Sequence, residues 1–205
     1  MKKGIIALIV VVILGIIIYS FFKGFYNTAV TLQEDATAQW GNVESSYQRR
    51  SDLIPNIVNT AKGYAEFEQK TLTDVIEARS QATGVNIDPS NITPEQLAQF
   101  QQAQSGVSSA LSRLLVTVER YPDLKANENF KELINELERT ENRINVERNR
   151  YNEAIAPYNK HIKTFPNNIV NNFIGNFEEM GYFKADEGAQ NAPDVNFDFN
   201  NKEAA

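Results

Sequence analysis

Apolar positions along this chain recur at alternating intervals of three and four. Ala36, Trp40, Val43, Tyr47, Arg50, Ile54, Ile57, Ala61 and Tyr64 form one such series, with Arg50 where an apolar residue is expected. A near-heptad stripe of this kind predicts a long helix, and Leu72 and Val75 carry it to about residue 80. Residues 81–92 hold Gly84, Pro89 and further turn formers, which predicts a loop. Thr93-Pro94-Glu95-Gln96 then offers an N-cap, a first-turn proline and a capping-box glutamine. The helix it opens places Leu97, Phe100, Gln104, Val107, Leu111, Leu114, Val118 and Tyr121 on one face and stops at Pro122. A third stripe starts near Ala126 with Phe130, Leu133, Leu137, Ile144, Tyr151, Ala154 and Tyr158. Pro157 interrupts it, Pro166 closes it, and a short amphipathic piece follows with Ile169, Val170, Phe173, Ile174 and Phe177. No sustained period-two alternation occurs, so the fold class predicted is all-α: an antiparallel up-down-up helical bundle with a short fourth helix.

Residues 4–22, "GIIALIVVVILGIIIYSFF", carry no charge. As a helix these 19 residues span roughly 28 Å, close to the hydrocarbon thickness of a bilayer. A cleaved secretory signal is the competing reading, but the apolar run is too long and no small-residue cleavage site follows. Lys2 and Lys3 precede the span and Lys23 alone follows it closely. That bias predicts a single pass through the cell (inner) membrane, with a cytoplasmic N-terminus and an extracytoplasmic bundle. Only Gly24 interrupts the passage into the first helix, so span and helix are expected to be continuous.

Equal rise per residue in all α-helices lets heights be compared. With helix 1 running to residue 80, the second and third helices end level with the stretch "RRSDLIP". The expected division is a membrane anchor at 1–23, a stalk at 24–50, a bundle at 51–184 and a disordered acidic tail at 185–205. Pro55 would bend helix 1 at the bundle's base. Arg49, Arg50 and Asp52 would then form a polar cluster on the wet rim, with Asp123, Glu128 and Glu132 in reach of the arginines. Below them Trp40, Val43 and Tyr47, with Tyr26 and Val30, form an apolar stripe that the chain cannot cover. Such a stripe marks an interaction surface, and a homo-oligomer through the stalk is the expectation. A tail fold-back through Phe197 and Phe199 is the alternative.

Charge and residue inventory exclude more than they select. Removing Lys2, Lys3 and Lys23 from the 20 Lys and Arg leaves 17 against 26 Asp and Glu, a net charge of −9 beyond the anchor. Nucleic-acid binding, which draws its affinity from cations on phosphate, is disfavoured. The chain has no Cys, so thiol catalysis is ruled out, and one histidine, His161, cannot make a two-histidine metal site. Calcium-loop, phosphate-loop and nucleophile-elbow motifs are missing. No catalytic residue, cofactor or metal is expected.

The run Tyr47-Gln48-Arg49-Arg50 followed by Asp52-Leu53-Ile54-Pro55-Asn56 is one of several dispersed motifs in order. Tyr26-Asn27, Trp40 and Val43 precede it; Glu141-Asn142, Arg148, Tyr151-Asn152, Tyr158-Asn159, Phe165-Pro166 and Phe183 follow. Over residues 1 to about 184 the chain resembles the LemA family of bacterial membrane proteins. The resemblance implies an N-terminal single-pass anchor, an antiparallel helical bundle and no established enzymatic activity. Two functions are compatible with these observations. One is a membrane-anchored scaffold that self-associates through the stalk and presents its bundle to other envelope proteins. The other is a sensor or receptor whose bundle binds a small ligand or peptide, with Tyr151, Asn152, Tyr158 and Asn159 lining the site.

Overall fold

The computed structural model describes residues 2–64 and 68–185. Helix α1 runs unbroken from Lys2 to Lys62, roughly 90 Å at 1.5 Å per residue. Its first part, up to Gly24, is exposed apart from a half-buried Phe22, and one stretch is long and apolar enough to cross a membrane. Burial starts at Phe25 and continues through Ala29, Ala36, Trp40, Val43 and Tyr47.

The chain turns earlier than the apolar stripe suggests. Gly63 ends α1, its amide bonding back to the Thr60 carbonyl. Helix α2 (Gln69–Thr83) then folds back along α1 instead of extending it. Glycine at the end of a helix is a common stop, and here it outweighs the continuing three-four spacing. The loop at 84–93 continues past the middle of α1, where Thr37 Oγ1 donates to the Pro89 carbonyl and Gln33 Nε2 to that of Ser90. Helix α3 (Pro94–Val118) rises again from the predicted capping box, both of whose bonds are present. After the short α4 (Pro122–Ala126), Asn127 caps α5 (Glu128–Lys163). Pro157 sits inside α5 without ending it, and α6 (Asn167–Val170) with a π-turn at Asn171–Gly175 completes the helical part.

The architecture is therefore all-α, with four principal helices running up, down, up and down. The predicted three-helix passage lacked α2. The early turn shifts every later height. Helix α5 descends along the part of α1 beyond Gly24, pairing Tyr151 with Trp40 and His161 with Phe25. Residues 152–164 thus approach the membrane end instead of overhanging the far end. Residues 24–50 are not a bare stalk: Trp40 and Val43 are fully buried and Tyr47 nearly so. Of the five stripe residues only Tyr26 stays largely exposed, while Val30 is half-buried. The physical motive for self-association through that stripe falls away. Phe100, Tyr151 and Phe183 are among the residues that supply the cover; Phe197 and Phe199, with the rest of 186–205 and so most of the predicted tail, lie outside the described residues.

Among the described residues two hydrophobic cores result. The membrane-proximal one gathers Trp40, Tyr47, Phe100, Tyr151, Tyr158, Met180 and Phe183. The distal one gathers Ile54, Ile57, Val75, Val107, Leu111, Leu114 and Leu137.

Candidate functional site

Between the two cores lies a layer of polar residues at matching heights on three helices. Arg50 of α1 is only 2% exposed. Its Nη1 donates to Glu141 Oε1 at 2.8 Å on α5 and to Ser108 Oγ at 2.9 Å on α3. Its Nη2 donates to the Gln104 side chain and to the Gln104 carbonyl, and the guanidinium stacks over the Tyr47 ring at 5.0 Å. A buried cation demands such saturation, since an unpaired one would be strongly destabilising. The apolar stripe admits an arginine because two other helices bring acceptors to its height.

The neighbouring proline fits the same layer. Pro55 has no amide hydrogen, so the Ser51 carbonyl loses its helical donor. Arg79 of α2 replaces it, its Nε donating to that carbonyl at 2.8 Å. Arg50 and Pro55 thus mark the bundle's middle, not its base. Arg49 faces outward and pairs with Glu136 of α5, and Asp52 accepts from Gln48 Nε2 at 2.7 Å on the surface. Asp123, Glu128 and Glu132 take no part in this layer.

A cleft of about 520 Å³ opens at this level between α1, α2 and α3. Arg50, Ser51, Arg79, Gln104, Tyr47 and Phe100 are among its walls. Arg79 is half-buried and has no carboxylate partner among the described residues. The Ser51 hydroxyl is buried without a hydrogen-bond partner. Ile54, Val85 and Val107 supply apolar wall, and Glu44 stands exposed at the edge. Arg79 and some apolar surface share one hollow with a largely polar lining, while the Ser51 hydroxyl beside it is closed off from solvent, so polar groups would dominate any binding there.

The four residues expected to line a ligand surface do something else. Residues 176–185 form a non-helical segment lying against α5 and α3, and carboxamide side chains grip its backbone. Asn159 Nδ2 donates to the Met180 carbonyl at 2.8 Å while its Oδ1 accepts the Met180 amide at 3.0 Å. Asn152 does the same for Phe183, Asn171 for Phe177 and Gln101 for Lys184. The Tyr158 hydroxyl donates to the Glu178 carbonyl at 3.0 Å. Tyr151, Tyr158 and Asn159 are fully buried, so they hold the chain's own segment instead of forming an open site. Burial, and then the Glu178 carboxylate, pushes the Tyr158 phenol up to about 12. Burial also raises that of Tyr151, whose hydroxyl has no partner.

His161 is engaged structurally. Its Nε2 lies 3.0 Å from the Phe25 carbonyl, which can only accept, so that nitrogen carries the proton; Nδ1 then faces the Asn167 amide. Among the described residues no group of three His, Asp or Glu is placed to hold a metal ion. Sequence reasoning missed Arg79 and Gln104 as site residues. Gln104 was visible as a polar residue on an apolar stripe; nothing local distinguished Arg79.

Comparison with known proteins places the chain among relatives by sequence. The LemA family pattern matches residues 39–197. Magnetosome protein MamQ 2 of Paramagnetospirillum magneticum is 29% identical over 178 residues, covering 78% of this chain and 64% of that protein. MamQ of Magnetospirillum gryphiswaldense is 28% identical over 175 residues, covering 77% and 64%. Protein LemA of Metamycoplasma hominis is 25% identical over 154 residues, covering 75% and 67%. The chain thus spans just under two thirds of the MamQ proteins it matches.

Proposed function

We propose, from the premise that the chain belongs to the LemA family, that it is a non-enzymatic, membrane-anchored binding bundle whose central cleft receives a small organic acid. The single observation that carries this reading is Arg79, a cation without a carboxylate partner among the described residues, lining one hollow together with Ile54, Phe100 and Val107. A carboxylate would pair with Arg79 in a partly desolvated setting, where a charge-assisted bond is stronger than at the surface. The body of the ligand would cover Ile54, Phe100 and Val107. Arg50 is already neutralised by Glu141 and would set the floor of the site. The names of the relatives describe a family or a magnetosome protein, not a reaction, which favours binding over catalysis.

The apolar first part of α1 makes this a membrane protein. Two lysines before the span against one after it support a cytoplasmic N-terminus and a bundle outside the inner membrane. Tethering also raises the effective concentration of the bundle toward other envelope proteins, so a weak binding event could recruit a partner.

Thermal unfolding of the detergent-solubilised full chain, with and without 3-phenylpropionate, tests the reading. The acid should raise the midpoint, the uncharged 3-phenylpropionamide should not, and Arg79→Gln should abolish the acid's effect. Equal shifts from acid and amide, or a full shift in R79Q, would remove the carboxylate reading. Light scattering of the same sample reports whether the chain associates at all.

A further inference from the structure

We propose that the segment from Phe165 to Ile174 docks the bundle on the lipid surface, as a second membrane contact beside the span. The heights place it there. His161 stacks on the Phe25 ring at 5.0 Å and bonds the Phe25 carbonyl, and Phe25 lies three positions beyond Phe22, the last residue of the uncharged run. Helix α5 continues from His161 in the direction of the bilayer, because its later residues meet earlier residues of α1. Two residues on, at about 1.5 Å each, the helix ends at Lys163, level with about Lys23, and Phe165 follows directly beside the end of the uncharged run. The segment then packs α6 against α1 and comes back to the starting level, where Phe177 meets Phe25 at 6.2 Å and Tyr26 at 5.5 Å.

Its surface suits lipid. Phe165 is 80% and Phe173 77% exposed, with Ile169 and Ile174 close to half exposed. Among the described residues beyond the span, the other exposed large hydrophobic residues are scattered singly, at Tyr26, Ile76, Val116, Val146 and Tyr182, whereas four fall within 165–174. Clustering of this kind marks a contact surface, which isolated residues do not. No charged side chain occurs from Thr164 to Phe177. Exposed Asn168, Asn172 and Asn176 there offer amides suited to the headgroup zone, and Lys160 and Lys163 stand just before it. Apolar side chains of interfacial elements reach about 5–10 Å into the headgroup and acyl boundary. The occupant is fixed by continuity: the span of the same molecule brings the bilayer to this height, so docking requires no recruited partner.

The chain lacks cysteine, so single probes can be placed cleanly. Phe165→Cys, Phe173→Cys and, as an equally exposed apolar control at the far end, Val116→Cys would be labelled with bimane in the full chain. The labelled proteins would be reconstituted in phosphatidylcholine vesicles with or without acyl-brominated lipid. Bromolipid should quench positions 165 and 173 at least about twofold, the outcome for side chains seated in the acyl boundary, and leave position 116 unchanged. Equal behaviour at all three positions would overturn the proposal. So would shielding of 165 and 173 from aqueous iodide without lipid quenching, which would mean that protein covers the face. Repeating the measurement without residues 186–205 identifies that cover: loss of the shielding assigns it to the tail. Trp40 fluorescence verifies in each variant that the fold is intact.

Discussion

Above the Arg50 layer, four helices close on one another through aliphatic side chains; below it, α1 and α5 continue with aromatic rings and a non-helical strap. The distal core needs nothing but ridges in grooves, with Ile57, Leu111 and Leu114 meeting Leu137 and Phe130. In the proximal core α2 is absent, and the space beside α1 is filled by the 84–93 loop and by residues 176–185. A non-helical segment lacks a helix's internal donors and acceptors for its backbone, so others must supply them. Four carboxamides do so, each donating and accepting at one residue. Over this strap Trp40 lies parallel to Phe183 at 6.0 Å and edge-on to Phe100 and Tyr151. One half is specified by shape, the other by shape and by hydrogen-bond register.

Breaking the layer between the halves should have the largest effect. Arg50→Ala strands the partly buried Glu141 and should destabilise the detergent-solubilised chain by about 3–5 kcal/mol in urea unfolding followed by Trp40 fluorescence. The double variant Arg50→Met/Glu141→Leu should regain most of that loss, because apolar replacement of a whole buried pair is often neutral. If the double variant is no better than the single one, the ion pair is not what Arg50 contributes.

Next come the clamps. Asn159→Ala leaves the Met180 amide and carbonyl without partners, and each buried orphan costs about 1–3 kcal/mol. Hydrogen exchange should accelerate first at Met180 and Phe183 and leave Leu111 and Leu114 protected. Uniform acceleration in both halves would deny that the strap opens independently.

A smaller effect is set by pH. The Tyr158 phenol ionises at about 12 in the folded chain but near 10 when unfolded. Between these values the unfolded chain has released a proton that the folded chain retains, so stability falls as pH rises from about 10 to about 12. Tyr158→Phe should flatten that part of the curve. The smallest change is expected of Val116→Ser, on an exposed distal face, within about 0.5 kcal/mol.

Much of this fold was legible. The span, the capping box at Thr93, the stripe of α3 and the length of α5 follow from apolar periodicity and turn chemistry, both of which act locally. Gly63 was also in view, but the three-four rhythm runs on through Tyr64, Leu72 and Val75, and periodicity does not register a reversal of direction. That one turn displaced every height drawn from it. The bare stalk, the wet rim and the overhanging α5 were consequences of a single misplaced corner. The polar layer was half visible, since Arg50 and Gln104 both stand on apolar stripes; that they meet depends on the register between helices. The strap was not legible at all. Asn152 and Asn159 look like surface residues until a distant backbone is laid across them.

Helix α1 carries lipid-facing and core-facing residues on one rod without a joint at Gly24. Azimuth in the bilayer and azimuth in the bundle are therefore locked together. One residue inserted between Lys23 and Phe25 would swing the entire domain by about 100° around the rod and raise it by about 1.5 Å. Whatever the bundle faces along the membrane plane is thus decided by the phase of a single helix, and a lone codon would be enough to point it elsewhere.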